Sequence, residues 1–201
     1  MFIKYIIDME NTPNLEIEVM KTYRGLSKES KVQIALEIID AQKLCFKTKD
    51  DDYIDELERL LDLFNSGTVA VIKATYFGKN GTVLDKGFGT LHIDDYLISK
   101  GKRKQYWLNE LCRATYVPPK QKKSPIEYVI KKAEEFVKND YLKRKTVKVE
   151  NKLNLLVEKN PKYGSPQALL SLYSAKYGFT NQGNVPKYPE DYYYMTKDLS
   201  Q

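Results

Sequence analysis

A basic loop that joins an apolar segment to an amphipathic helix, within residues 108–138, constrains the fold of this chain more than any other stretch. The apolar segment has the length of a β-strand and ends at Pro118-Pro119, where a central strand cannot continue. Beyond the loop, apolar side chains return at helical spacing. They are Ile126, Val129, Ile130, Ala133, Phe136 and Val137. The stretch therefore predicts a strand, a loop and a helix in that order.

The start of this helix is marked by three residues. Ser124 suits the N-cap, Pro125 suits the first helical position, and Glu127 completes a Ser-x-x-Glu capping box. Three lysines stand among residues 120–123, directly before the helix. Because a helix N-terminus presents free N–H groups and a partial positive charge, this pattern predicts a seat for phosphate.

The remaining periodicities predict a mixed sheet with helices on its faces. Asn80-Gly81 marks a hairpin turn. Residues 14–20 alternate apolar and charged side chains, which fits a half-buried strand or an extended arm. Strands at 108–117 and 153–157 flank the helix 125–138, so we expect parallel neighbours with a cleft at their C-terminal ends. The other expected strands are 2–8, 68–77, 86–94 and 192–195, and the other expected helices are 28–46, one from Asp51 and one opened by Ser165.

The length of 201 residues suits a single domain, 1–201, with a substantial core. A net charge of +6 favours anionic partners. The N-terminus has no signal-peptide pattern and no apolar run has the roughly 20 residues of a membrane span, so we expect a soluble cytoplasmic protein without a membrane partner. Cys45 and Cys112 both lie in apolar-periodic segments, which predicts buried free thiols and a reducing compartment.

Other kinds of site are weaker interpretations of this sequence. Sixteen tyrosines beside many lysines could stack on nucleic acid, but no recognisable RNA-binding motif accompanies them, so nucleic acid is not the expected partner. His92 is the only histidine, and without a recognisable nucleophile or metal-ligand cluster we expect a structural or surface residue. No spacing of cysteine and histidine indicates zinc, so no metal is expected.

Several local patterns within residues 105–199 resemble the GNAT superfamily of N-acetyltransferases. In that family a strand ending in Val-x-Pro precedes a phosphate-binding loop and a helix, and a later helix carries Leu-Tyr before Gly-Phe. The matching segments here are Val117-Pro118-Pro119, residues 122–127, Leu155 to Asn160, Leu172-Tyr173, Gly178-Phe179 and Tyr193 to Leu199. The loop departs from the family pattern, because Lys122 replaces Arg or Gln and Pro125 and Glu127 replace glycines.

The resemblance implies a fold and an activity. The fold is α/β (α+β), a mixed, mostly antiparallel β-sheet with helices on both faces and a splayed parallel strand pair. The activity is transfer of an acetyl group from the co-substrate acetyl-CoA to an amine, by direct attack of the amine. The acceptor would be an amine-bearing small molecule or protein, and the chain could act as a homodimer.

The resemblance also assigns roles to individual residues. Tyr173 would lie near the thioester sulfur and act as general acid toward the departing thiolate. Glu110, early on the strand that leads to the loop, is the candidate base. The plain alternatives are a core residue for Tyr173 and an ordinary charged strand residue for Glu110. The implied cofactor-binding residues are Tyr116 and Val117, through their backbone to the pantetheine arm, Lys122, Lys123, Ser124, Pro125, Ile126 and Glu127 around the pyrophosphate, and Asn160.

Two functions therefore compete. The intact Tyr173 favours the acetyltransferase. The altered loop favours a GNAT-fold protein without catalysis, which serves as a binding or regulatory module. Glu127 bears on the choice, since its carboxylate would repel a pyrophosphate and compete for the N–H groups of the helix start.

Overall fold

The computed structural model describes residues 2–7, 14–21, 26–45, 53–66, 68–94, 104–115, 123–143, 149–161, 164–185 and 188–200. The strands are β1 (Phe2–Ile7), β2 (Asn14–Lys21), β3 (Thr68–Phe77), β4 (Val83–Asp94), β5 (Lys104–Thr115), β6 (Val149–Glu158), β7 (Thr180–Asn184) and β8 (Tyr192–Asp198). The helices are α1 (Lys28–Cys45), α2 (Tyr53–Ser66), α3 (Pro125–Lys143) and α4 (Pro166–Tyr177). None of these described helices is both long and apolar enough to cross a bilayer.

The element order follows the sequence prediction, apart from an earlier start of β5 and the additional strand β7. The strand interpretation of residues 14–20 is confirmed, because β2 pairs with both β1 and β3. β5 begins at Lys104 rather than at 108, since Lys104 already pairs with Val149 of β6. The sequence does not predict β7, whose residues Thr-Asn-Gln-Gly-Asn are polar. This strand lies at the edge of the sheet and is largely exposed, so no apolar periodicity reveals it.

Residue contacts divide the chain into two compact units. The first comprises Met1–Leu91 and Glu110–Lys132, and the second comprises His92–Asn109 and Ala133–Gln201. In the first unit the strand order is β1-β2-β3-β4-β5, and β2 is antiparallel to both of its neighbours. In the second unit the order is β5-β6-β8-β7, with β8 antiparallel to β6 and β7.

Helices cover both faces of the sheet in the first unit. Phe88 of β4 packs into a buried cluster with apolar side chains of α1 and α2. The preceding residue, Gly87, faces the other way, because successive positions of a strand alternate between faces. There the start of α3 approaches so closely that a Cβ on Gly87 would lie 3.0 Å from the Ile126 nitrogen. Glycine at this position therefore lets the helix start rest directly on the strand.

The predicted parallel pair is confirmed in the second unit. β5 and β6 run parallel, with Tyr106 opposite Leu153 and Leu108 opposite Leu155, and α3 connects the two strands. Buried Asn154 helps to fix this register, because its Nδ2 donates to the Tyr106 carbonyl oxygen at 3.1 Å. The mixed, mostly antiparallel sheet with one parallel pair is thus the fold class that the sequence implies.

Trp107, the only tryptophan of the chain, is buried in the second unit. It packs against Val185, with Tyr192 and Tyr194 among its half-buried neighbours. The ring centroids of Trp107 and Tyr194 are 6.2 Å apart. Part of the tyrosine content of the chain therefore serves to pack the first half of β5 against the C-terminal strands.

The two cysteines form a disulfide, so the expectation of buried free thiols is wrong. Cys45 lies at the end of α1 and Cys112 on β5, with their Cα atoms 5.8 Å apart, a usual separation for a disulfide. Apolar periodicity places both on the inner sides of their elements, but it cannot show that positions 67 residues apart meet. Because disulfides are typical of oxidising compartments, the argument for a reducing compartment loses its basis.

Candidate active site

Ser124 caps the start of α3, as the sequence predicts. The Ile126 N–H donates to Ser124 Oγ at 3.3 Å, and the helix begins at Pro125. The Glu127 N–H donates to the Ser124 carbonyl oxygen at 3.0 Å. Pro125 has no N–H. The first three amide positions of the helix are therefore either engaged or without a hydrogen, and a phosphate would have to compete for the donors that a helix start normally offers.

The Glu127 side chain lies against the protein rather than in solvent. The residue is 8% exposed. Its Oε1 accepts a hydrogen bond from Lys131 Nζ at 3.2 Å, and Lys123 Nζ lies 3.9 Å away. Two lysines thus offset its charge, so its repulsion of a pyrophosphate would be weaker than the sequence alone indicates.

A polar cluster of Tyr76, Asp85, Arg113 and Tyr128 lies in the same unit. Asp85 is fully buried, and Arg113 Nη2 donates to its Oδ2 at 2.7 Å. The rings of Tyr76 and Tyr128 meet edge to face with centroids 6.3 Å apart. Burial raises the pKa of Tyr76, and its hydrogen bond with Tyr128 and the charges of Asp85 and Glu127 raise it further. The cluster thus anchors the first turn of α3 to the sheet.

Glu110 combines an unusual backbone with a well-held carboxylate. Among non-glycine residues in the described part of the chain, it alone has a left-handed backbone, with a φ of 52°. Its Oε1 accepts from Arg59 Nη2 at 2.8 Å and its Oε2 accepts from Gln42 Nε2 at 2.5 Å. A carboxylate has about four acceptor positions, so Glu110 retains lone pairs for a ligand beyond these two contacts.

Arg59 of α2 is held between two carboxylates. Its Nη2 contacts Glu110 and also Glu56 Oε1 at 2.5 Å, and its Nε donates to Glu56 Oε2 at 2.7 Å. Burial lowers the pKa of Arg59, but the hydrogen bond to Glu56 and the charges of both glutamates raise it more, so the net shift is upward. The guanidinium therefore stays charged and keeps Glu110 in place.

Tyr173 lies on the third turn of α4, which Ser165 caps and Gly178 ends with a φ of 73°. Its half-buried ring lies 6.1 Å from the ring of Tyr177 and 6.3 Å from that of Phe179. Burial raises the pKa of Tyr173 to about 12, and Tyr177 adds to the shift. Like an ordinary tyrosine, the phenol is protonated at neutral pH and has a proton to donate.

The candidate residues fall into two groups. Glu110 and the helix start at 123–127 belong to the first unit, whereas Tyr173 and Asn160 belong to the second. Asn160 is exposed just after β6. His92 is buried, in agreement with a structural role. Three predicted cofactor-binding residues lie outside the described residues, namely Tyr116, Val117 and Lys122.

Sequence reasoning identifies Glu110 but misses the residues that hold it. Gln42 and Arg59 lie 68 and 51 residues away from Glu110. No spacing rule connects side chains on α1 and α2 with a position on β5. The one available signal is Gln42, a polar residue on the buried side of α1, next to Ala41.

Comparisons with known proteins bear on the fold. No protein-family model matches the sequence, and no curated protein matches it. The chain is similar to the crystal structure of a GNAT-family acetyltransferase from Staphylococcus aureus, with 15% identity, a TM-score of 0.50, and coverage of 92% of this chain and 99% of that one. A spermidine N-acetyltransferase mutant from Vibrio cholerae is similar at 14% identity and a TM-score of 0.44, over 92% of this chain and 94% of that one. The chain has the GNAT fold, which the likeness to the Staphylococcus aureus protein establishes together with the parallel β5–β6 pair.

Proposed function

We propose that the protein is an N-acetyltransferase that moves an acetyl group from acetyl-CoA to an amine. The GNAT fold supports the reaction class. The observation that carries the proposal is the phenol of Tyr173, which lies half-buried beside Tyr177 and Phe179 on α4 and is protonated at neutral pH. A departing thiolate needs a proton, and a phenol that holds its proton at neutral pH can supply one.

The proposed reaction balances in protons and bonds. The neutral amine nitrogen attacks the thioester carbonyl carbon, so that a C–N bond forms and the C–S bond breaks. Tyr173 gives its proton to the sulfur, and the proton that the nitrogen loses goes to Glu110 or to water. The phenolate of Tyr173 then recovers a proton from water.

Acetyl-CoA is the proposed co-substrate. The backbone of Tyr116 and Val117 would pair with the pantetheine arm, and Asn160 would contact the cofactor, as the resemblance implies. At the pyrophosphate, the helix start offers few open donors, because its N–H groups are engaged by Ser124. We therefore expect Lys122 and Lys123 to bind the phosphates chiefly through their charge.

The engaged helix start also favours a second function, a GNAT-fold binding or regulatory protein without catalysis. In that protein the N–H groups of Ile126 and Glu127 would remain with Ser124. Tyr173 would then be a packing residue beside Tyr177.

A calorimetric titration with acetyl-CoA separates the two functions. The enzyme is expected to bind acetyl-CoA and to release free CoA thiol with at least one member of a panel of small amines, polyamines and lysine peptides. Binding without turnover across the panel, or no binding at all, would favour the protein without catalysis.

The proposed function extends to the acceptor, the domain organisation and the location of the protein. We propose an amine-bearing small molecule or protein as acceptor, one domain over residues 1–201, and a cytoplasmic protein that could pair as a homodimer. The disulfide between Cys45 and Cys112 argues against the cytoplasmic part of this proposal, because cytosolic proteins rarely keep structural disulfides.

A further inference from the structure

Two ties join the C-terminal end of α1 to β5. The first is the disulfide between Cys45, the last residue of the helix, and Cys112. The second is the hydrogen bond that Gln42 Nε2 donates to Glu110 Oε2 at 2.5 Å. Gln42 lies in the same turn of α1 as Cys45, and Glu110 lies close to Cys112 in β5. Both ties therefore hold the same stretches of the two elements together.

The second tie is unfavourable in its local details. Gln42 is 4% exposed, and no donor among the described residues reaches its Oε1. A buried acceptor without a partner destabilises the conformation that buries it. Glu110 has a left-handed backbone, with a φ of 52°, which is unfavourable for a residue other than glycine. Such local costs persist only where the surrounding structure imposes them.

The disulfide is the covalent part of that surrounding structure. It fixes the end of α1 on β5, whatever the hydrogen bond contributes. Without the disulfide, the last turn of α1 can move away from β5, and water can then satisfy both ends of the Gln42 amide. The neighbouring residue Lys43 is exposed, so this turn already borders solvent. Helix ends also open more readily than helix centres, because their last carbonyl groups have no partner within the helix.

The two sulfur atoms differ in their access to solvent. Cys45 is half-buried, whereas Cys112 is 2% exposed and belongs to the buried cluster beneath α1 and α2. In thiol–disulfide exchange a thiolate must reach the sulfur that it attacks. A reductant therefore attacks Cys45, and Cys112 is the sulfur that leaves.

We propose that the disulfide between Cys45 and Cys112 is a redox switch, which a dithiol opens at Cys45 and which controls whether Gln42 is held against Glu110. In the oxidised chain the last turn of α1 is fixed on β5, and Glu110 keeps the donor of Gln42. In the reduced chain that turn is released, and Glu110 keeps its ion pair with Arg59. The switch acts on the carboxylate proposed as the base, but it does not depend on the acetyltransferase function.

The switching reaction moves two electrons from the dithiol to the protein. One thiolate of the dithiol attacks Cys45 Sγ, so that a mixed disulfide forms and the bond to Cys112 breaks. Cys112 leaves as a thiolate and takes a proton from water. The second thiolate of the dithiol then displaces Cys45, which also takes a proton, and the dithiol ends as its own disulfide. A disulfide reagent reverses these steps and restores the link.

Hydrogen exchange of the full chain, followed by mass spectrometry, tests the switch without acetyl-CoA. Dithiothreitol is the reductant. After reduction the amides of residues 41–45 are expected to exchange about tenfold faster relative to residues 34–38 of the same helix, the factor that relief of one unsatisfied buried acceptor is worth. The comparison within α1 separates local release from the general loss of stability on reduction. Equal acceleration of both segments would overturn the proposal, and so would a native disulfide that dithiothreitol does not reduce.

Gln42→Met tests whether the buried amide drives the release. Methionine has a similar length and lacks the unsatisfied oxygen, so reduction should change the relative exchange of residues 41–45 by roughly threefold at most. Gln33→Met, at an exposed position of α1, is the control and should show the full effect. Thermal melts check that both variants are folded. A folded Gln42→Met protein whose helix end is released as strongly as that of the unchanged protein would contradict the proposal.

A monothiol identifies the sulfur that is attacked. After a brief exposure to 2-mercaptoethanol and an acid quench, peptide mass spectrometry is expected to find the mixed disulfide on Cys45. Its presence on Cys112 instead would show that the switch does not open in the proposed way. All these measurements leave acetyl transfer untested, so the switch and the enzymatic function fail separately.

Discussion

Tyr173 holds its proton more tightly than an ordinary tyrosine, because it is half-buried beside Tyr177. A packing residue and a general acid would both show this property, so burial alone does not decide between them. The hydroxyl does, because its removal leaves the ring contacts with Tyr177 and Phe179 in place.

Tyr173→Phe is expected to lower kcat by roughly 10²- to 10⁴-fold, the usual contribution of a general acid. The affinity for acetyl-CoA and the melting temperature should stay close to those of the unchanged protein, because only one hydroxyl is lost. Steady-state kinetics, calorimetry and thermal melts measure the three quantities. Tyr141→Phe, at an exposed position of α3, is the control. Full activity in Tyr173→Phe would assign Tyr173 to packing.

The pKa of Tyr173 also predicts a pH dependence of stability. A tyrosine in the unfolded chain titrates near pH 10. In the folded chain the pKa of Tyr173 is about 12, so the folded state binds the proton more tightly. The resulting stabilisation is complete below about pH 10 and is lost as the pH rises toward 12. Urea unfolding at about pH 8 and about pH 11 should therefore show a larger loss of unfolding free energy in the unchanged protein than in Tyr173→Phe. Equal losses would mean that the phenol is not shielded from water.

Single residues also show which parts of the candidate site cannot be predicted from the sequence. Glu110 and Tyr173 stand out from their positions on a strand and in a local pattern. Gln42 and Arg59 do not, because their significance arises only when α1 and α2 pack next to β5. Contacts over such separations depend on tertiary packing, which no local periodicity records.

Among the elements, the start of α3 is where sequence and structure agree best. Ser124 and Pro125 take the positions that capping rules assign, because capping depends on residues within a single turn. The first residues of β5 and the whole of β7 escape such rules. They are strands because neighbouring strands pair with them, and most residues of β7 are polar or glycine with little preference for a strand.

Glu127→Gly is expected to tighten acetyl-CoA binding while it destabilises the start of α3. The change removes a carboxylate near the proposed pyrophosphate position and releases Lys123 and Lys131 from it. Since these lysines already offset its charge, the gain in binding should be about 1 kcal/mol or less. Glycine in a helix costs roughly 0.8–1.0 kcal/mol relative to alanine. Calorimetric titration and thermal melts measure the two effects.

The control for this change is Glu135→Gly, at an exposed position of the same helix, which carries the cost of glycine away from the loop. It should lower the melting temperature without improving binding. An affinity for acetyl-CoA in Glu127→Gly that does not exceed that of the unchanged protein would show that Glu127 does not obstruct the cofactor.

The lysines before α3 are expected to act through charge. Replacing Lys122 and Lys123 together by alanine should weaken acetyl-CoA binding, and the loss should shrink at high salt, because contacts between exposed charges are screened. Lys123 is exposed, in keeping with a screened contact. Titrations at low and high salt measure the effect, with Lys138 and Lys143 replaced by alanine as the control pair. A loss of acetyl-CoA affinity that is the same at low and high salt would point to a structural role instead.

At the scale of the whole molecule, the fold can be inferred from the sequence although no protein-family model matches it. Element order and the local pattern around Tyr173 are enough to suggest the fold, which the structure has. Where the pattern of the resembled family has glycines, this sequence has Pro125 and Glu127, so that segment adds no support to the inference. The disulfide escapes inference altogether, because only the folded chain brings Cys45 to Cys112.

The disulfide leads to a prediction about stability. It spans 67 residues, and in the chain-entropy account a loop of that length is worth about 4 kcal/mol. Excess dithiothreitol should therefore lower the free energy of unfolding in urea by up to that amount, and Cys45→Ser should do the same without the reductant. A thiol assay on unfolded protein purified without reductant is expected to find no free thiol. Two free thiols there would show that the pair is not formed.

Burial of the single tryptophan has a practical consequence. Trp107 lies in the second unit, 2% exposed, whereas α1 and α2, which carry much of the helical signal, lie in the first. Fluorescence emission and circular dichroism thus follow different parts of the chain during one denaturation experiment. Coincident curves would mean that residues 1–201 unfold as one cooperative domain, and separated curves would give each unit a stability of its own.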